Sequence, residues 1–231
     1  GIYAPGNIDK LKDLDLLTQA FVTDGIHAET VILEEADFVN GVRLATEILR
    51  RTFFRPNVLF LELNPKADGQ EMQLLVDKTV AYKMGIVLLA RHPVIGMGRE
   101  QLVNVWISDQ GPDWDITHAL NRDLAILMAY QLTENWHGGI NVCMAVRHEA
   151  DKPRAIVYLR ELMTLTRMPN NTKILVTTSP FKQALVELPR ADLSIFGLPP
   201  QPDLFFCNEI QKTVDASCVF VRDAGNESAL A

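Results

Sequence analysis

The sequence predicts an α/β protein built from two similar subdomains, each a mainly parallel sheet flanked by helices. Apolar runs of strand length at residues 58–61 and 86–89 lack polar alternation, as befits parallel strands covered on both faces. A strand, helix and strand rhythm also occurs twice. In the second half, residues 103–108 read as a strand, a long amphipathic helix runs to about Asn135, and residues 139–146 form the next strand. In the first half, residues 7–24 read as a helix and residues 26–33, entered through Gly25, as the strand that follows it.

Leu11, Leu14, Leu17, Phe21 and Val22 recur at three- and four-residue steps, which places them on one face of the first helix, opened by Asn7. Phe38, Val42, Ala45, Ile48 and Leu49 mark a second helix stopped before Pro56. An apolar run at 58–63 and a turn at 64–69 follow. Met72, Leu75, Val76, Thr79 and Val80 then trace a third helix ending near Gly85, before a strand at 86–90. Pro93, Gly96 and Gly98 interrupt both periodicities, which predicts a boundary near Gly98, with subdomains 1–97 and 98–223 and a frayed tail 224–231.

Beyond that boundary, Ile116, Leu120, Leu124, Leu127 and Met128 form the inward stripe of the long helix. Ile156, Leu159, Leu162, Met163 and Leu165 form the next stripe, ended by Pro169. Strands at 173–177, 193–198 and 218–222 alternate with helices at 181–188 and 203–213.

Composition narrows the function classes. Across 231 residues, 22 basic against 29 acidic side chains give a net charge of −7, which opposes non-specific binding to nucleic acid or anionic lipid. Arg43, Arg50, Arg51 and Arg55 form the densest basic stretch, and their place near a helix C-terminus explains them as partners of its dipole. Cys143, Cys207 and Cys218 are too few and too strand-like in context for a disulfide framework, so a reducing, cytoplasmic setting is expected. No apolar run approaches the roughly 20 residues needed to cross a bilayer, so the chain is expected to be soluble, and its opening residues read as a piece of something longer.

The chemistry-bearing residues are sparse. His27, His92, His118, His137 and His148 never stand four apart on a helix, and no Cys-x-x-Cys accompanies them, so no metal site is expected. Glu34, Glu35 and Asp37 read as an acidic helix start before Phe38 rather than a cation site. Asp109, Asp113 and Asp115 lie in the loop after the strand at 103–108, the end at which parallel sheets bind ligands. Asp113 or Asp115 capping a helix near Ile116, with Trp114 as a hydrophobic staple, is the favoured reading of that cluster. Gly96-Met97-Gly98 precedes its strand and so lies on the wrong side for a phosphate loop. The Asn170 and Asn226 glycosylation triplets are set aside for a reducing compartment. No catalytic residue, cofactor or enzyme activity is expected.

The segment Val103-Asn104-Val105-Trp106-Ile107-Ser108-Asp109-Gln110-Gly111 resembles the cytosolic C-terminal domain of cation-chloride cotransporters, in which a tryptophan-bearing strand leads through acidic and glycine residues into a leucine-rich helix. Residues 136–146, 191–200 and 218–226 resemble later segments of that family, in the same order. The absence of a long phosphorylatable insertion favours a prokaryotic, Na-K-Cl-like member. The strand and helix order also resembles universal stress proteins, some of which bind ATP through glycine-spaced loops that this sequence lacks.

The resemblance implies a regulatory and dimerisation domain on the cytoplasmic face of the cell membrane. Its partners would be a second copy and the transmembrane helices of its own polypeptide, with no ion conduction and no membrane insertion by this segment. Trp114, Trp136 and Leu198-Pro199-Pro200 could contribute to a dimer face, although packing within one subunit is favoured for the tryptophans. A soluble, tandem nucleotide-binding protein is the alternative.

Overall fold

The computed structural model describes residues 2–3, 8–28, 30, 33–35, 37–51, 55–63, 69–117, 121–199 and 204–230. It contains two compact units, residues 1–56 and 57–231.

The first unit pairs two short parallel strands, β1 (Ile2–Tyr3) and β2 (Leu33–Glu34), and carries α1 (Ile8–Thr23) and α2 (Phe38–Leu49). Asp37 caps α2 by accepting from the Asn40 N–H, and the Glu35 carboxylate accepts from Asp37 N and Asn40 Nδ2. Glu35 and Asp37 therefore supply a helix start, as the sequence predicts, while Glu34 belongs to β2. One expectation is met only in part. Of the strand predicted over 26–33, residues 26–28 and 30 lie in no regular element, Leu33 lies in β2, and residues 29, 31 and 32 are outside the described set. The helix predicted over 7–24 forms as α1, and of its apolar face Leu14 is half-buried while Leu17, Phe21 and Val22 are exposed. A small unit with two-residue strands offers little surface against which to bury a helix face.

The second unit holds a seven-stranded sheet. In chain order its elements are β3 (Val58–Glu62), α3 (Gly69–Ala81), β4 (Gly85–Ala90), β5 (Leu102–Trp106), α4 (Arg122–Trp136) and β6 (Gly139–Ala145). They continue as α5 (Lys152–Leu165), β7 (Lys173–Thr177), α6 (Phe181–Glu187), β8 (Leu193–Gly197), α7 (Leu204–Val214) and β9 (Ser217–Arg222). The spatial order is β3-β4-β9-β8-β5-β6-β7. Every neighbouring pair is parallel except β4 with β9, where Leu88 opposes Phe220. The predicted class, a mainly parallel sheet flanked by helices, is thus observed, and strands from both sides of Gly98 share that sheet.

Side-chain parity divides the strands β5, β6, β8 and β9. Val103, Val105, Val142, Met144, Ile195, Val219 and Val221 point into a buried cluster with Leu124, Ala125 and Ala129 of α4 and Ala155, Leu159 and Leu162 of α5. The alternate positions pair across the sheet in two rows. Asn104 stands opposite both Asn141 and Ser194, while Trp106 stands opposite Cys143 and Phe196, and Phe196 opposite Phe220. Asn141 Nδ2 donates to Asn104 Oδ1 (2.8 Å) and Asn104 Nδ2 to the Pro189 carbonyl (2.8 Å), so the buried amides of the polar row are satisfied.

The tail expected to fray has no regular element over residues 223–230 but is tied down. Ala229 and Leu230 pack against the core, Glu227 accepts from Ala224 N and Asn226 N, and Asn226 Nδ2 donates to the Lys83 carbonyl.

Candidate functional site

The order of the sheet contains a reversal. From β5 the chain proceeds outward through β6 to β7, then returns to lay β8 on the other side of β5. At such a switch the connections leaving neighbouring strands diverge and open a crevice beyond their carboxyl ends. A cleft of about 860 Å³ lies there, bounded by the residues that follow β5, β6, β7 and β8 and by α7.

Its wall is the aromatic row. Trp106 stacks on Phe196 with ring centroids 5.8 Å apart, Phe196 stacks on Phe220 at 5.5 Å, and Phe181 at the start of α6 meets Trp106 edge-on at 5.5 Å. The parity of the strands places these rings on one face, and the ends of the strands place them at the cleft. Phe206, Cys207 and Ile210 of α7 complete the apolar side. Trp106 is only 7% exposed, and its indole Nε1 is buried without a hydrogen-bond partner among the described residues.

The polar rim is held by backbone hydrogen bonds. Asp109 Oδ1 accepts from Gly111 N at 3.0 Å and Oδ2 from Arg147 N at 3.3 Å, so this carboxylate ties the connections after β5 and β6 together. Asp115 Oδ1 accepts from the Thr117 N–H and hydroxyl. Asp113 is exposed on the same loop. Asp109, Asp113 and Asp115 therefore do not converge, and among the described residues no group of three His, Cys, Asp or Glu side chains is placed to hold a metal ion.

The helix expected from Ile116 begins at Arg122, with residues 118–120, and His118 among them, outside the described set. Asn121, in the left-handed region at φ 58°, donates Nδ2 to the Leu198 carbonyl (2.6 Å) and accepts from Asp223 N (3.0 Å). Asp223 in turn accepts from Leu124 N at 3.3 Å, so the α4 terminus is capped by a residue 99 positions away. Burial pushes the Asp223 carboxyl up to about 6, helped by Glu227 and Asp123 and opposed by the Leu124 amide.

Arg122 is buried beside this cap. Its guanidinium bonds the Ile116 carbonyl (2.6 Å), the Tyr158 hydroxyl (3.2 Å) and Asp123 (2.9 Å). Burial acts to lower its pKa, and the hydrogen bonds to Tyr158 and Asp123 overcome that and raise it, so the charge stays. No spacing in the sequence marks Asn121, Arg122 or Asp223. The Trp106, Phe196 and Phe220 row was visible as an aromatic residue near the end of three predicted strands, hidden inside continuous apolar runs.

The other candidates have structural duties. His92 Nδ1 accepts from Val94 N and Ile95 N, and Nε2 faces Asp215 at 3.3 Å. His137 forms the α4 C-cap, and His148 precedes a short 3₁₀ turn at Glu149–Asp151. Cys143, Cys207 and Cys218 are buried free thiols, and burial pushes Cys143 up to about 12, far from a reactive thiolate. Trp114 packs on Tyr158 and Trp136 lies against the core. Leu198 is fully buried, so it is not available to an interface, and Pro200 lies outside the described residues.

Comparison with known proteins bears on what such a domain belongs to. A model of the first part of the prokaryotic cation-chloride cotransporter C-terminal domain matches residues 5–97, and a model of the second part matches residues 98–230. The crystal structure of the cytoplasmic domain of a prokaryotic cation chloride cotransporter is similar at a TM-score of 0.87 with 30% identity, covering 99% of this chain and 85% of that one. A universal stress protein from Archaeoglobus fulgidus matches at a TM-score of 0.54 with 16% identity, over 95% of this chain and 78% of its own, a likeness of fold alone. No curated protein sequence gives a match.

Proposed function

We propose, starting from a chain that belongs to the prokaryotic cation-chloride cotransporter C-terminal domain family, that it serves as the cytosolic regulatory and dimerisation domain of a membrane transporter that moves cations with chloride. Among the described residues no helix is long and apolar enough to cross a membrane, so the conducting helices of such a transporter belong to another part of its polypeptide. The observation that carries this reading is the 30% identity maintained over 99% of the chain with the cytoplasmic domain of such a cotransporter.

The domain is read as a non-enzyme. Its partners are a second copy of itself and the transmembrane part of its own polypeptide, at the cytoplasmic face of the membrane. A net charge of −7 argues against nucleic acid as a partner. Regulation by such a domain requires contacts that differ between two transporter states, because a ligand or domain that touches both states equally shifts nothing. A homodimer requires one self-complementary patch on each copy.

Two measurements test the proposal. Sedimentation of the 231-residue chain across the micromolar range is expected to show a monomer-dimer equilibrium, and a strict monomer removes the dimerisation role. Chloride-dependent cation uptake by the parent transporter is expected to change when this domain is deleted while the transmembrane part remains in the membrane. Unchanged uptake removes the regulatory role.

A further inference from the structure

We propose that the cleft at the carboxyl ends of β5, β6 and β8 binds a small organic anion with a flat apolar body, of which an aromatic carboxylate is the simplest member. The proposal does not depend on dimerisation. At about 860 Å³ the cleft falls in the size range of natural ligand pockets, roughly 300–1,000 Å³, and it occupies the switch point of the sheet.

The wall selects the body of the ligand. Trp106 and Phe196 are stacked with an interplanar angle of 16° as a buried floor, Phe181 crosses both edge-on, and the half-buried Phe181 and Phe206 offer the aromatic edge and face that a planar ring would meet. Phe206 and Ile210 face the same space from α7. The indole ring of Trp106 lines this space, so its N–H resonance reports on a ligand seated against the wall.

The rim selects the charge. Asp109 and Arg147 are the charged residues among the described lining. Both Asp109 oxygens already accept backbone N–H groups, from Gly111 and Arg147. The Arg147 side chain is exposed and has neither ion pair nor side-chain hydrogen bond among the described residues, which leaves its planar fork open to a carboxylate. Asp109 keeps its own negative charge, turned onto the Gly111 and Arg147 amides, and the Arg147 guanidinium is the group on the rim that can meet a ligand carboxylate.

A nucleoside triphosphate fits this rim poorly. It carries three to four charges and is held elsewhere by glycine-rich turns whose backbone approaches the phosphates. Here the glycine at the end of β8 offers no such approach: a Cβ placed on Gly197 would meet the Asn121 Cβ at 3.1 Å.

The test uses the 231-residue chain labelled with nitrogen-15 and naphthalene-2-carboxylate as probe, with the uncharged naphthalene-2-carboxamide and ATP as controls. The Trp106 indole resonance, identified as the one that Trp106→Phe removes, is expected to shift saturably with the carboxylate at a Kd of about 1 mM or tighter. Arg147→Gln, an exposed change that leaves the wall intact, should weaken the carboxylate about tenfold and leave the carboxamide unchanged. An unshifted indole resonance, an equal affinity of Arg147→Gln for the carboxylate, or saturation by ATP without saturation by the carboxylate overturns the proposal.

Discussion

The two ends of the seven-stranded sheet are built on opposite plans. At the amino end of the parallel strands the connections are cinched. The Asp192 carboxylate accepts from Arg99 N at 2.8 Å and from Gln101 N and Leu102 N at 3.0 Å, closing the connection between β4 and β5 onto the start of β8. Nearby, Ser217 Oγ accepts from His92 N and donates to the Gly96 carbonyl, and Gly138 sits so close to the Gln101 carbonyl, 2.5 Å from a built Cβ, that no side chain fits there. At the carboxyl end the same strands finish in aromatic rings, and the connections part around an open cleft. One end contributes order; the other contributes surface for a ligand. An α/β sheet of this topology tolerates the second because the first, with the core cluster under α4 and α5, holds the strands in register.

Four substitutions break or sharpen that contrast. The largest effect is expected from Arg122→Ala, which leaves the Asp123 carboxylate and the Ile116 carbonyl without their buried partner. Loss of one half of such a pair costs about 3–5 kcal/mol, read as a lowered urea midpoint. Hydrogen exchange should rise first in α4 and in the loop after β5. A loss below about 1 kcal/mol would mean that the cleft end is not held by this side chain.

Asp192→Ala attacks the cinched end. Burial acts to raise this carboxyl, but the three amides and the nearby Arg99 outweigh it, and its pKa lies below the ordinary carboxylate value. The stability it contributes is therefore present above the unfolded-state value and is lost as pH falls through the lower folded-state value. Its removal should cost about 2 kcal/mol at neutral pH and expose the amides of Arg99, Gln101 and Leu102 to exchange while the cleft amides stay protected. Equal loosening at both ends would erase the contrast.

Asp223 behaves with the opposite sign. Its folded-state value of about 6 stands above the ordinary 3.8, so its stabilising contribution is complete below about pH 4 and is lost as pH rises through about 6. Asp223→Asn keeps an acceptor for Leu124 N and removes the buried charge. The variant should match the parent near pH 4 and exceed it at pH 8 by about 1 kcal/mol, after allowance for solvent screening at this partly exposed position. A variant less stable than the parent at pH 8 would contradict the burial argument. The smallest effect belongs to Trp106→Phe, which removes a donor that has no acceptor while retaining aromatic contact. A change within about 1 kcal/mol is expected in thermal unfolding, and a larger loss would reveal a partner for the indole.

The contrast also separates what the sequence displays from what it conceals. The strands of the second unit are legible because consecutive Val, Ile and Leu residues at 86–89 and 174–176 have no helical period and no polar alternation. The helix predicted from Ile116 differs in its start: residues 116 and 117 are bends, α4 begins at Arg122, and a capping carboxylate for it comes from Asp223 across the fold. The strand predicted over 26–33 is not seen at residues 26–28 and 30, because an apolar run tells of burial and not of a strand partner; among the described residues of the segment, Leu33 has one. Of the cleft, Asp109 was visible from its place after β5. Arg147 and Asn121 were not, since rim residues from separate connections meet only once the strand order reverses.

Sedimentation equilibrium of the purified 231-residue chain across the micromolar range is the most direct test of the assignment as a dimerisation domain of a cotransporter. A reversible monomer-dimer equilibrium, with dimer dominant at the upper end, is the result predicted. A single monomeric species throughout would contradict it.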